Sequence, residues 1–254
     1  MMKSRLLSNF VQEIQFKNRN PKETRVLELL DDISTNPEKV ILQGENLYRS
    51  RLILRDSNIN NEKGFFGFNA KDSFIPPWKI TRDLRANYRY IPYLYCANDQ
   101  YLSVIEVRPR VNAKVSVATI FVNEQIRLLD FTVGHKPQRM SKSKYSLFCD
   151  LSELYSKPVT IDDDVLDYIP TQFIAEYVKS LGYDGIAFTS SLSPEIKDSG
   201  LDRFNIVIFN YNKCTPIKSN VYIITHNYFE CKQIDEDPKK SPIINHIEEK
   251  LKQI

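Results

Sequence analysis

The 254-residue sequence predicts an α+β fold, a compact mixed sheet with flanking helices, and three observations carry that expectation. Several segments are rich in β-branched and aromatic residues or alternate as half-buried strands do: LYRSRLIL, YIPYLYCA, KVSVATIFV, IRLLDFT, GIAFTS, NIVIFN and NVYIITHNYFECKQI. Helical periodicity is clearest in PTQFIAEYVKSLG, where Phe173, Ile174, Tyr177, Val178 and Leu181 share a face, Pro170 sits near the start and Gly182 offers a left-handed stop. Strands and helices do not alternate regularly, which argues against a doubly wound parallel sheet.

Taken in order, residues 1–43 read as a helical N-terminal extension, with Pro21 suited to a turn and Val26, Leu27, Leu29 and Leu30 forming one apolar stripe. Residues 44–254 read as the main domain with a charged, helical tail ending in IEEKLKQI. The strand LYRSRLIL leads into a polar, Asn-containing stretch that stops at Pro76 and Pro77, which predicts a long loop. After YIPYLYCA, Asn98 or Asp99 caps a short helix whose Leu102, Ile105 and Val107 face a core, with Glu106 near its end. Residues 134–164 read as a long polar connection.

Hydrophobic residues make up 42% of the chain and charged residues 26%, the mix of a folded globular protein rather than a disordered one. A net charge of +3, from 35 basic and 32 acidic residues, is too small to argue for direct nucleic-acid binding. Cys96, Cys149, Cys214 and Cys231 form no C-x-x-C pair and have no histidine at ligand spacing, so no metal is expected. No apolar run has the length of a signal peptide or a membrane span, and the expectation is a reduced, cytoplasmic protein with no membrane partner.

Four blocks bear on function: Leu47-Tyr48-Arg49-Ser50-Arg51; Arg85-Ala86-Asn87; Tyr93-Leu94-Tyr95-Cys96-Ala97 running on to Glu106-Val107-Arg108-Pro109; and Asp184-Gly185-Ile186-Ala187-Phe188-Thr189-Ser190. With the closing strand Asn205-Ile206-Val207-Ile208-Phe209, their order over residues 47–210 resembles the RES-domain family. The resemblance implies a fold related to ADP-ribosyltransferase toxins, an NAD-binding cleft and NAD breakdown by hydrolysis or phosphorolysis, with residues 44–254 as the catalytic domain. It also implies toxin membership, with a helix-turn-helix antitoxin as partner. Carried over position by position, it assigns catalysis to Glu106, Arg49 and Ser190, and NAD contacts to Arg51, Arg85, Asn87 and Tyr95. The sequence departs from the family pattern at Leu84, where Gly is usual, at Tyr101, Leu102 and Ser103 in place of small residues, and at Arg203 and Phe204 in place of a glycine pair.

These residue types suit the chemistry. Cleaving nicotinamide from ribose develops positive charge on the sugar, and a fixed carboxylate such as Glu106 stabilises it. A planar guanidinium offers paired donors to the pyrophosphate, which favours Arg49 first and then Arg51 or Arg85; residues 49 and 51, two apart on a strand, share a face. Tyr95 offers a ring to stack on or a hydroxyl to bond a ribose, and Ser190 a hydroxyl to orient one. Simpler readings stand beside these: Glu106 as a surface acid pairing with Arg108 or Lys114, Arg49 and Arg51 as solvated edge residues, Tyr93 and Tyr95 as core, and Ser190 as turn chemistry with Thr189 and Ser191. His135, His226 and His246 match no family position. Transfer of ADP-ribose to a macromolecule, or NAD binding without chemistry, are the competing functions. All of the enzymatic readings require Glu106, Arg49 and Ser190 to converge on one cavity.

Overall fold

A computed structural model describes residues 5–22, 24–34, 39–54, 67–132, 141–157, 165–192 and 202–226. His135, His246, Cys231 and the tail IEEKLKQI lie outside the described residues. Contacts divide the chain into a unit spanning Met1–Ile224 and another spanning Thr225–Ile254; the elements below all belong to the first.

Two amphipathic helices come first. In α1 (Arg5–Phe16) the buried residues are Leu7, Phe10 and Ile14, spaced by three and four so that they line one face. In α2 (Arg25–Ser34) Val26, Leu27, Leu29 and Leu30 are buried, and the Thr24 hydroxyl accepts from the Leu27 amide at 3.2 Å at the start of the helix. Both helices contribute to the same hydrophobic cluster as Phe131, Ile174, Ile186 and Val207.

The remaining elements are β1 (Lys39–Ile41), β2 (Asn46–Ile53), β3 (Leu94–Ala97), α3 (Gln100–Glu106), β4 (Lys114–Val122), β5 (Ile126–Phe131), α4 (Lys142–Ser156), α5 (Val165–Ser180), β6 (Gly185–Phe188), β7 (Asn205–Ile208) and β8 (Cys214–Ile223). The strands form one sheet in the order β1-β5-β6-β7-β3-β2-β4-β8, with β5 and β6 parallel and the other pairs antiparallel. This is the mixed α+β architecture that the irregular element order predicts. Alternation along β3 sends Tyr93 and Tyr95 to the face covered by helices, while Leu94 and Cys96 join Leu47, Ile206 and Ile208 in a second cluster on the other face.

Three local differences from the sequence reading have physical reasons. The segment 134–164 is not only a polar connection, because α4 lies within it: Leu147, Phe148, Leu151 and Tyr155 form a narrow buried stripe among Ser, Lys and Asp, and Ser141 caps the helix by accepting from the Lys144 amide. β1 is too short to show a period of its own and is recognisable only by its pairing with β5. Finally, α5 starts five residues before Pro170 rather than at it. Proline has no N–H for the Leu166 carbonyl one turn back, and Gln15 Nε2, from α1, donates to that carbonyl at 2.8 Å instead. Gly182 ends the helix at φ +86°, as expected of its position.

The sheet has a seam. β2 pairs with β4 along its whole length but with β3 through the single register pair Tyr48 and Ala97. Beyond that pair the chains of β2 and β3 no longer bond, which leaves room for a cleft where the two halves of the sheet meet.

Candidate functional site

At the seam lies a cavity of about 510 Å³. Five of the seven site residues carried over from the sequence line it: Arg49, Arg85, Tyr95, Glu106 and Ser190. Arg51 and Asn87 are not among its lining residues.

The placement of Glu106 begins at Asp99, whose carboxylate accepts from the Leu102 amide at 2.8 Å and caps α3. Leu102 is fully buried, and the hydroxyls of Ser103 and Ser50 lie 2.9 Å apart, tying α3 to β2. Arg108, at φ +47°, turns the chain away two residues past the end of the helix. Glu106 thus occupies the last helical position, is itself exposed, and meets the ends of β6 and β7. Its Oε1 accepts from Ser190 Oγ and, at 2.7 Å, from Asn205 Nδ2. Ser190 is buried, and its Oγ also accepts from the Leu192 amide at 3.0 Å. With its proton given to a carboxylate and a lone pair taken by an amide, this hydroxyl is built to orient. Among the described residues the hydrogen-bond partners of Glu106 are therefore Ser190 and Asn205 rather than Arg108 or Lys114.

Arg49 and Arg51 both turn toward the loop that follows Gly67. Arg49 donates to the Phe74 carbonyl; Arg51 donates to the Asp72 carbonyl at 2.5 Å and lies 3.9 Å from the Phe68 ring centre. Burial, and then the neighbouring Arg51 charge, hold the Arg49 guanidinium down at about 10, still cationic at neutral pH. Burial lowers Arg51 as well, opposed by Asp72. Two residues along a strand is a step of about 7 Å, enough to carry Arg51 past the cavity.

Arg85 donates to the Leu154 and Tyr155 carbonyls at 3.1 and 2.7 Å, satisfying carbonyls in the last turn of α4. Tyr95 presents itself to the cavity, but its hydroxyl is engaged elsewhere: it donates to Asn87 Oδ1 at 2.8 Å and accepts from the Ala86 amide at 3.1 Å. Burial pushes its phenol well up. Asn87 is wholly buried with its polar groups satisfied: its side-chain amide donates to the Arg82 and Tyr88 carbonyls at 2.9 and 3.0 Å, and its main-chain carbonyl accepts from Gln172 Nε2 at 2.9 Å. It fixes the loop that carries Arg85 and so points into protein.

Among the described lining residues Glu106 is the one carboxylate, set among Arg49, Arg85, Arg108 and Lys157. Such a lining favours an anionic ligand that carries or develops positive charge near Glu106. Sequence reasoning did not single out Asn205, Lys157 or Tyr155. The one signal for Asn205 is that a polar residue opens the otherwise apolar strand NIVI. Leu84, the departure from the family glycine, lines the cavity and is exposed. Among the described residues no group of three or more His, Cys, Asp or Glu is placed to hold a metal ion, and no helix is long and apolar enough to cross a membrane.

The chain belongs to the RES domain family, which matches residues 65–227 and so well over half of its length. That membership places it in an NAD-processing class of enzymes. The blocks at residues 85–87, 93–109 and 184–190 and the strand from Asn205 fall inside the match; the block from Leu47 to Arg51 precedes it. Among solved structures the chain is similar to one in a crystal structure of the M. tuberculosis MbcT–MbcA toxin–antitoxin complex, at 13% identity over 78% of this chain and 92% of that one, with a TM-score of 0.39. No curated protein matches it.

Proposed function

We propose that this protein degrades NAD by breaking the bond between nicotinamide and ribose, passing the ADP-ribosyl group to water or to inorganic phosphate. One observation carries the reading: among the described lining residues of a cation-lined cavity the one carboxylate is Glu106, held through one oxygen by Ser190 and Asn205. A pyrophosphate is doubly negative and fits the guanidinium-lined part of the cavity, with Arg49 as first choice and Arg85 beside it. The ribose next to the nicotinamide then lies against Glu106. As the C1′–N bond breaks, its electron pair leaves with neutral nicotinamide, and the positive charge left on the sugar is stabilised by the carboxylate. Water, losing a proton, or a phosphate oxygen then bonds to C1′.

Ser190 orients the carboxylate and a ribose hydroxyl, and the ring of Tyr95 offers a flat wall. Arg51 and Asn87 act indirectly, by holding the loops that carry the Phe74 carbonyl and Arg85. Residues 44–254 form the catalytic domain in this reading, and the helices α1 and α2 pack on its helices α4 and α5. The biological role is that of a cytoplasmic toxin neutralised by a helix-turn-helix antitoxin.

The test is incubation of the purified protein with NAD, with and without phosphate, following nicotinamide, ADP-ribose and its phosphorylated product. No release of nicotinamide by folded protein in either buffer removes the proposal. A labelled macromolecule would instead assign transferase activity, and NAD binding without release a non-catalytic module.

A further inference from the structure

The ends of three strands meet at Asn205. It is the first residue of β7 and pairs with Ala97, the last residue of β3, on one side and with Phe188, the last residue of β6, on the other. From Ala97 the chain runs into α3 and arrives at Glu106; from Phe188 it runs into the turn bearing Ser190. Asn205 is thus the position from which one short side chain reaches the carboxylate between the two connections. Its amide nitrogen lies 2.7 Å from Glu106 Oε1, and the residue is 8% exposed.

Both donors converge on that same oxygen, while Glu106 Oε2 has no hydrogen-bond partner among the described residues. The two oxygens therefore differ: one is anchored by two donors, and the other is left without a described partner on a side chain that lines the cavity. We infer that Asn205 is a positioning residue that fixes the Glu106 carboxylate through Oε1 and so presents Oε2 to the ribose, an inference that rests on the NAD-cleaving reading above.

The choice of an amide follows from the chemistry. A neutral donor immobilises the carboxylate without cancelling the charge that the sugar cation needs, whereas a lysine or arginine here would form an ion pair and neutralise it. An aspartate would present an acceptor to an acceptor. Because residue 205 sits in a strand hydrogen-bonded on both sides, its backbone is held more firmly than that of Ser190, which lies in a turn.

The test uses the full chain and two readouts. In steady-state nicotinamide release from NAD, Asn205→Ala is expected to lower kcat about tenfold, and Asn205→Asp about a hundredfold, with KM for NAD within about twofold of the parent in both. In thermal unfolding without NAD, Asn205→Asp lowers Tm, and adding Glu106→Gln to it recovers at least about half of the loss, because donor and acceptor have been exchanged. An unchanged kcat in both variants of an active parent, or a KM that rises in step with the loss of kcat, overturns the inference. Failure of the exchange to recover Tm overturns it as well. If the parent itself releases no nicotinamide, the NAD reading fails, and with it the presentation of Oε2 to a ribose; the thermal cycle then decides the anchoring of Glu106 by Asn205 alone.

Discussion

Ser190 Oγ donates to Glu106 Oε1 although 84 positions separate the two residues in sequence. The contact joins the end of a seven-residue helix to the turn after β6, and it leaves the acid exposed to the cavity yet tethered. A carboxylate so held stabilises developing positive charge at little cost in reorganisation. Glu106→Gln keeps the size of the side chain and removes the charge. Nicotinamide release is expected to fall by at least about a hundredfold, while calorimetric titration still detects NAD binding. Unchanged turnover in this variant refutes the role given to Glu106.

Arg49 is a partly buried cation beside another cation, an arrangement that costs stability in the free protein and favours an anionic ligand. Its folded pKa of about 10 lies below the ordinary 12.5, so the folded form releases its proton first as pH rises. The cost of its burial is therefore full at neutral pH and is relieved only as pH rises from about 10 toward 12.5. Arg49→Met removes the charge and keeps much of the stem. The Tm of the free variant is expected to stay within a few degrees of the parent or to exceed it, while the increase in Tm produced by NAD is lost. A large drop in Tm with the NAD response intact would make Arg49 a purely structural residue. In the parent, NAD affinity is expected to decline as pH rises through about 10, measured over the range in which the protein stays folded.

Much of the fold is legible because its signals are local. KVSVATIFV and IRLLDFT coincide with β4 and β5 to within a residue, and the Asp99 cap of α3 is marked by its side chain. The α4 helix is hidden because its buried stripe is narrow and its other faces are polar, and the early start of α5 because the donor replacing that of Pro170 comes from 151 residues away in sequence. At the candidate site, Glu106, Ser190, Arg49, Arg85 and Tyr95 are found through block order. The difference between lining the cavity and supporting it, which separates those five from Arg51 and Asn87, depends on hydrogen bonds to loop carbonyls that no spacing encodes. Asn205 escapes notice because its partner lies 99 positions away.

Tyr95 gives a test of that difference. Its hydroxyl is committed to Asn87 and Ala86 within the protein, so Tyr95→Phe deprives a buried amide oxygen of its donor while the ring stays in the cavity wall. The expected cost is about 1–3 kcal/mol in denaturant unfolding, with KM for NAD changed by no more than a few-fold. An unchanged stability together with a tenfold higher KM would instead mean that the hydroxyl contacts the substrate.

The bond from Gln15 Nε2 to the Leu166 carbonyl ties the first helix to the proline-containing helix α5, and it predicts a coupling between two residues that do not bond to each other. Gln15→Leu removes the side-chain donor and is expected to cost about 0.5–1.5 kcal/mol. Pro170→Ala gives α5 a backbone N–H aimed at the same carbonyl, so the helix can close its own bond and has less use for the glutamine. In the Pro170→Ala background the cost of Gln15→Leu should therefore shrink to less than about half its value in the parent, as read from a double-mutant cycle of urea unfolding. Strict additivity of the two substitutions would mean that Gln15 stabilises the protein by packing, and that the proline is accommodated in some other way.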